Sequence, residues 1–94
     1  MSDTVPGAPA ALRFDVYGRR YCHLCDELVD GLRGLLAACE GIPAFEIHFV
    51  DVDADDALEA RYGEHVPVLV HGDAELCHFR LDVPAVTAYL VQFR

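Results

Sequence analysis

The stretch Leu12-Arg-Phe-Asp-Val-Tyr-Gly-Arg-Arg-Tyr-Cys22-His-Leu-Cys25 decides how this chain is read. Leu12, Phe14 and Val16 alternate with Arg13, Asp15 and Tyr17, which is the period of a half-buried strand. Gly18-Arg-Arg-Tyr21 reads as a loop. From Leu24 the period lengthens: Leu24, Leu28, Leu32, Leu35, Leu36 and Cys39 form the apolar stripe of a helix. Asp26 and Glu27 fall in its first turn, where carboxylates suit the helix dipole, and Gly41 with Pro43 ends it. Gly31 and Gly34 each weaken this helix by about 1 kcal/mol relative to Ala, so tertiary packing has to hold it. A strand, a short loop and a helix therefore bracket Cys22-x-x-Cys25.

That placement carries chemistry. With Cys22 at the N-cap, Cys25 lies one turn later on the same face, about 5–6 Å away and within reach of a disulfide. The orphan amides of the first helical turn point at the Cys22 sulfur, and Arg19 and Arg20 add positive charge. Cys22 is expected to be the acidic, exposed nucleophile and Cys25 the sheltered resolving thiol. His23 adjoins the nucleophile and can tune it as an imidazolium below pH ~6.5, or simply face water. A structural zinc site would need four ligands, and no second Cys pair or close His pair is present. Cys77-His78 is the one compact candidate, and it lies in an expected strand. A haem attachment would need His directly after Cys25, where Asp26 stands. No metal site is expected.

Downstream, Phe45, Ile47 and Phe49 mark a second strand running to about Val52. Asp53 reads as the N-cap of a short helix, Ala54 to Tyr62, stopped by Gly63. Val66 to Val70, with Pro67 near its start, is a third strand. His71-Gly-Asp-Ala74 is a tight hairpin turn, and Leu76 to Leu81 the returning fourth strand. Asp82 caps a last helix whose buried stripe is Val86, Tyr89, Leu90 and Phe93. The order is βαβαββα: an α/β domain with a four-stranded mixed sheet flanked by three helices, the first two strands parallel and the last two antiparallel. Residues 1–10, rich in Pro, Gly and Ala, read as a disordered N-terminal tail, and 11–94 as the domain.

The whole chain has 94 residues, one domain's worth, with 53% hydrophobic residues. Folding buries roughly 60–70% of the unfolded surface at this size, so the core needs no staples. Seven basic against sixteen acidic residues leave a net charge of −9, which opposes binding to nucleic acid or an anionic membrane. No secretory leader and no membrane span are expected. The chain reads as cytoplasmic, where thiols are kept reduced and a close Cys pair is catalytic or metal-binding rather than a permanent crosslink.

Three segments together are more specific than Cys-x-x-Cys alone. Phe14 to Cys25 resembles the first strand and active-site loop of the glutaredoxin branch of the thioredoxin-like superfamily. Val50-Asp-Val-Asp53 resembles the end of its second strand, and His65-Val-Pro67-Val-Leu-Val-His-Gly72 its cis-proline strand and turn. The chain is similar, over about residues 12–93, to short bacterial glutaredoxin-like proteins of undefined role. The resemblance implies a thioredoxin-like fold, a cis Pro67 opposite Cys22, and a Val66 backbone free to pair with a substrate chain. It also places Arg19 where glutaredoxins contact a glutathione carboxylate. Two departures stand out: His23-Leu24 replaces Pro-Tyr between the cysteines, and Cys77-His78 replaces a Gly-Gly pair that admits the tripeptide.

The expected activity is thiol–disulfide oxidoreduction by Cys22 and Cys25, with Arg19, Val66 and Pro67 at the substrate and Arg20 and His23 tuning. No cofactor is expected beyond the redox-active disulfide. Partners would be protein disulfides, with glutathione or a thioredoxin-type reductase as electron source; neither nucleic acid nor membrane is expected, and the protein would be a monomer. The alternatives are a 2Fe–2S or zinc carrier, or a redox-silent interaction module, on the same fold. Cys39 reads as a core thiol, Cys77 as an inert strand thiol, Asp15 as a solvated or paired group, and the remaining histidines as surface or capped imidazoles. The Asp51, Asp53, Asp55, Asp56 cluster lacks the spacing of a calcium loop and reads as a helix N-terminus.

Overall fold

A computed structural model describes residues 12–94; the expected tail, residues 1–10, lies outside the described residues. The order is β1 (Leu12–Gly18), α1 (His23–Ala38), β2 (Phe45–Asp51), a 3-10 turn (Val52–Ala54), α2 (Asp56–Tyr62), β3 (Val68–His71), β4 (Ala74–His78) and α3 (Val83–Leu90), ending in a second 3-10 turn (Val91–Phe93). The sheet order is β2-β1-β3-β4. β1 and β2 are parallel, with Leu12 opposite Phe45 and Gly18 opposite Asp51. β3 is antiparallel to both β1 and β4, as the helical crossovers and the terminal hairpin require.

Alternation along the strands divides the core into two layers. Leu12, Phe14 and Val16 of β1 and Leu69 of β3 face α1 and α3, where Leu28, Leu32, Leu36, Val86 and Leu90 meet them. Val68 and Val70 face the opposite side, with Val52, Tyr62 and the half-buried Tyr17 and Leu58. Tyr17 and Tyr62 stack at 4.3 Å between centroids. Each fully buried Leu of α1 contributes about 1.5–3 kcal/mol, enough to outweigh the two glycines of that helix.

Several boundaries move from their expected places, each for a local reason. Asp53 does not cap α2. Its neighbour Asp55 does, with extended backbone (φ −150°) and a carboxylate accepting from the amides of Ala57 and Leu58. Asp53 sits instead in the 3-10 turn, its own amide donating to Asp51. β3 begins at Val68 rather than Val66, because Pro67 has no N–H for the ladder. β4 begins at Ala74 and ends at His78, earlier than the expected Leu76 to Leu81. Gly72, at φ 59°, makes the turn short, and Phe79, at φ 65°, turns the chain out of the sheet. A bulge between Leu69 and Val70 shifts the β3–β4 register, leaving Leu69 opposite Cys77 and Val70 opposite Glu75. Asp82 caps α3 as expected, accepting from the Ala85 amide, with Pro84 in the first turn.

Candidate active site

β1 ends at Gly18 and α1 starts at His23, so both cysteines sit where the chain leaves the C-terminal end of a central strand. Cys22 is the N-cap, in extended conformation, and its Sγ accepts the Cys25 amide N–H at 3.1 Å. The cap role usually filled by a Ser or Asp oxygen is thus filled by the sulfur, at a helix end that favours negative charge. Cys22 is half-buried; Cys25 is fully buried, at 0% exposure. Burial pushes the Cys25 thiol up to about 11, the Cys22 sulfur and Asp26 push in the same direction, and the backbone amide of Arg19 counters them. A half-buried sulfur beside a fully buried one whose thiol is held protonated is the asymmetry an attacking and a resolving thiol need.

Gly18 is part of this arrangement in a way the sequence pattern does not announce. A Cβ built there would lie 2.8 Å from Cys25 Sγ and 2.8 Å from the Phe49 ring. The strand end passes too close to the Cys25 sulfur for any side chain.

The Val66–Pro67 bond is cis. Pro67 is buried and its carbonyl accepts the Phe79 amide at 2.8 Å. Val66 is half-buried and lies before the first ladder pair of β3, with Tyr17 opposite Val68. Around it stand groups that composition gave no reason to join: His65 and His78 are edge-to-face at 5.3 Å, and Phe79 packs against His78 at 4.7 Å. Phe79 is itself 45% exposed.

The two arginines are not the free cations expected beside Cys22. The Arg19 guanidinium donates to Asp53, to Glu59 Oε2 at 2.7 Å and to the Gly63 carbonyl at 3.0 Å. These carboxylates hold its pKa above the ordinary value. Arg20 lies 3.9 Å from Asp51 and is largely exposed. The physical reason is topological: the end of β2, the 3-10 turn after it and α2 bring Asp51, Asp53 and Glu59 beside the Cys22 loop, and they take up its positive charge. A signal was present in Asp53 and Glu59, but their approach to Arg19 spans long sequence separations that no local pattern encodes. His23 is exposed at the first position of α1.

The other thiols and imidazoles sit apart from this site. Cys39 is the C-cap of α1 and packs on the core. Cys77 is half-buried on β4, with its thiol pKa raised by burial. His71 Nδ1 lies 2.6 Å from the Tyr89 hydroxyl, among Phe14 and Phe93. Asp15 pairs with Arg13 at 3.2 Å. Among the described residues, no group of three or more His, Cys, Asp or Glu converges as a metal site, and no helix is long and apolar enough to cross a membrane.

Comparison with known proteins agrees with this geometry. The model of the glutaredoxin-like domain (DUF836) matches residues 14–91. The solution structure of protein Ne2328 from Nitrosomonas europaea is 35% identical, covering 95% of this chain and 98% of its own, with a TM-score of 0.72. Protein XcR50 from X. campestris is 34% identical, covering 84% of this chain and 96% of its own, at a TM-score of 0.63. Thioredoxin 1 from Thermosipho africanus, at 15% identity and a TM-score of 0.53 over 85% of this chain and 96% of its own, shares the fold. No curated protein gives a significant match. The chain belongs to the glutaredoxin-like (DUF836) family, on a thioredoxin-like α/β fold.

Proposed function

We propose that this protein is a thiol–disulfide oxidoreductase that reduces protein disulfides through Cys22 and Cys25. The observation that carries the reading is the pair itself: Cys22 Sγ at the N-cap, bonded to the amide of a completely buried Cys25. The Cys22 thiolate attacks one sulfur of a substrate disulfide, and the other sulfur leaves as a thiolate that takes a proton from water. Cys25, on losing its proton, attacks Cys22 Sγ and forms the Cys22–Cys25 disulfide, releasing the second substrate thiol. Two electrons pass to the substrate and the protein is left oxidised. Glutathione or a thioredoxin-type reductase then returns two electrons, in the cytoplasm or a comparably reducing compartment.

Protein disulfides suit the site better than glutathione-mixed ones. The backbone at Val66 lies outside the ladder, where an extended substrate segment can pair with it without demands on its side chains. Glutathione needs positive charge for its carboxylates and room beside the catalytic sulfur. Arg19 is already held by two carboxylates, Cys77-His78 carries side chains where a glycine pair would leave space, and the net charge is −9. The test is a side-by-side assay of insulin and a glutathione-mixed disulfide, with dithiothreitol and then glutathione as reductant. Insulin reduction with slow deglutathionylation is expected. Fast glutathione-dependent deglutathionylation contradicts the substrate preference, and inactivity on both substrates contradicts the oxidoreductase reading and favours a cluster carrier or interaction module.

A further inference from the structure

The face of the sheet that packs on α1 runs past the core toward the two cysteines. Leu12, Phe14 and Val16 of β1 lie on that face, and their parallel partners on β2 are Phe45, Ile47 and Phe49. Phe45 and Ile47 pack against the core, whereas Phe49 stays 46% exposed. Gly18 follows Val16 on the same face by the two-residue period of the strand. A Cβ built on it would lie 2.8 Å from Cys25 Sγ and 2.8 Å from Cε1 of the Phe49 ring. The room left by the absent side chain is therefore shared by the sulfur and the ring. The two are separated by at most twice that distance, which is the range of a sulfur–aromatic contact.

We propose that Phe49 is a positioning residue that covers the Cys25 sulfur, so that an incoming disulfide meets Cys22 first and Cys25 reacts only with the mixed disulfide formed there. Resting on the dithiol reading, this cover specifies what enforces the order of the two attacks. The helix does not enforce it alone. Cys25 is in the first turn of α1, where His23 and Asp26 are exposed and Leu24 and Cys22 are half-buried, yet Cys25 itself is 0% exposed. Burial at such a helix end needs a cover from outside the helix. Gly18 and Phe49 are the groups that the geometry brings to the sulfur from other elements, and of the two only Phe49 has a side chain.

With the ring in place, an external disulfide has no in-line approach to Cys25 Sγ. Cys22 Sγ attacks instead, the substrate S–S bond breaks, and one substrate sulfur leaves as a thiolate. Cys25 then loses its proton to solvent and attacks Cys22 Sγ; the Cys22–Cys25 bond forms and the second substrate sulfur leaves as a thiolate. This second attack does not have to pass the ring, because its target lies within the same helical turn, where Cys22 Sγ accepts the Cys25 amide at 3.1 Å. Removing the ring opens a competing route, in which Cys25 attacks an external disulfide directly, breaks its S–S bond and keeps one half as an adduct.

The experiment uses Cys22→Ser protein, in which Cys25 has lost its partner, and follows iodoacetamide alkylation of Cys25, Cys39 and Cys77 by peptide mass spectrometry across pH. Adding Phe49→Ala should accelerate alkylation of Cys25 at least about tenfold and leave Cys39 and Cys77 within about twofold. The pH midpoint for Cys25 should move down from about 11 toward the ordinary 9.0. Phe49→Tyr, which keeps the ring, should keep the protection. With hydroxyethyl disulfide as oxidant, Cys22→Ser/Phe49→Ala protein should carry the adduct on Cys25, and Cys22→Ser protein should not. Three results overturn the inference: Cys25 equally protected with and without the ring; Cys25, Cys39 and Cys77 all accelerated together, which marks general loosening; or Phe49→Tyr no better protected than Phe49→Ala. Each of these strikes the cover alone when the unsubstituted protein reduces insulin. If the unsubstituted protein does not reduce insulin, the dithiol reading fails and the inference falls with it.

Discussion

Gly18→Ala is the perturbation that probes the close packing at the dithiol most sharply. The added methyl would start 2.8 Å from Cys25 Sγ and 2.8–2.9 Å from two atoms of the Phe49 ring, all inside van der Waals contact. Phe49 is 46% exposed, and its ring can swing toward solvent at modest cost. Cys25 cannot retreat in that way. It is fully buried in the first turns of α1, where Leu28 and Leu32 anchor the helix to the sheet. The strain therefore falls on the sulfur rotamer and the β1–α1 junction, and overpacking of this kind costs about 1–3 kcal/mol. For a domain of this size each kcal/mol lowers Tm by about 4–8 °C, so a fall of about 4–24 °C is expected. The assay is thermal unfolding of the reduced protein by circular dichroism, paired with rapid mixing against dithiobis(nitrobenzoate) in a Cys39→Ser/Cys77→Ser background, where the first thionitrobenzoate released reports attack by Cys22 and the second reports attack by Cys25. The reduced Tm should drop and the second phase should change more than the first. An unchanged Tm together with two normal phases would refute the claim that β1 packs directly against the Cys25 thiol.

Other expectations follow from the same geometry. Cys22→Ser should abolish disulfide reduction, while Cys25→Ser should attack normally and accumulate a mixed disulfide visible by intact mass; the reverse pattern would exchange the two roles. Because the folded Cys25 thiol is pushed up to about 11 from an ordinary 9.0, folding favours its neutral form. Its contribution to stability is therefore complete below about pH 9 and disappears as the pH rises toward about 11, since the unfolded thiol ionises first. Urea midpoints of reduced protein should fall across that window, and Cys25→Ala should flatten part of the fall; a slope indifferent to Cys25→Ala would contradict it. Asp82→Ala removes the cap on the Ala85 amide and should cost about 1 kcal/mol, read as a lower urea midpoint with disulfide reduction intact.

What the sequence revealed and what it withheld divide along physical lines. The Leu24 to Cys39 stripe, the Cys22 cap and the strand alternation of Leu12, Phe14 and Val16 are local periodicities, and each corresponds to an observed element. The family resemblance carried by Phe14 to Cys25 and His65 to Gly72 agrees with the matched domain model. The choice between Asp53 and Asp55 as a cap was not legible, because both side chains are competent and only the position of Arg19 draws one of them away. The early end of β4 depends on Phe79 adopting a positive φ while its amide bonds Pro67, a long-range contact with no sequence period. The fate of Arg19 was hidden for the same reason. A basic residue before Cys22 looks like an electrostatic activator until the 3-10 turn after β2 and α2 bring Asp53 and Glu59 onto it.

The most direct test of the central claim is a single-turnover stoichiometry. Pre-reduced protein is mixed with excess insulin, quenched with acid and alkylated, and its cysteines are mapped by peptide mass spectrometry. The account predicts one Cys22–Cys25 disulfide formed for each pair of insulin thiols released, with Cys39 and Cys77 still alkylated as free thiols. Insulin thiols released while Cys22 and Cys25 remain reduced, or oxidation appearing at Cys77 in place of Cys25, would contradict it.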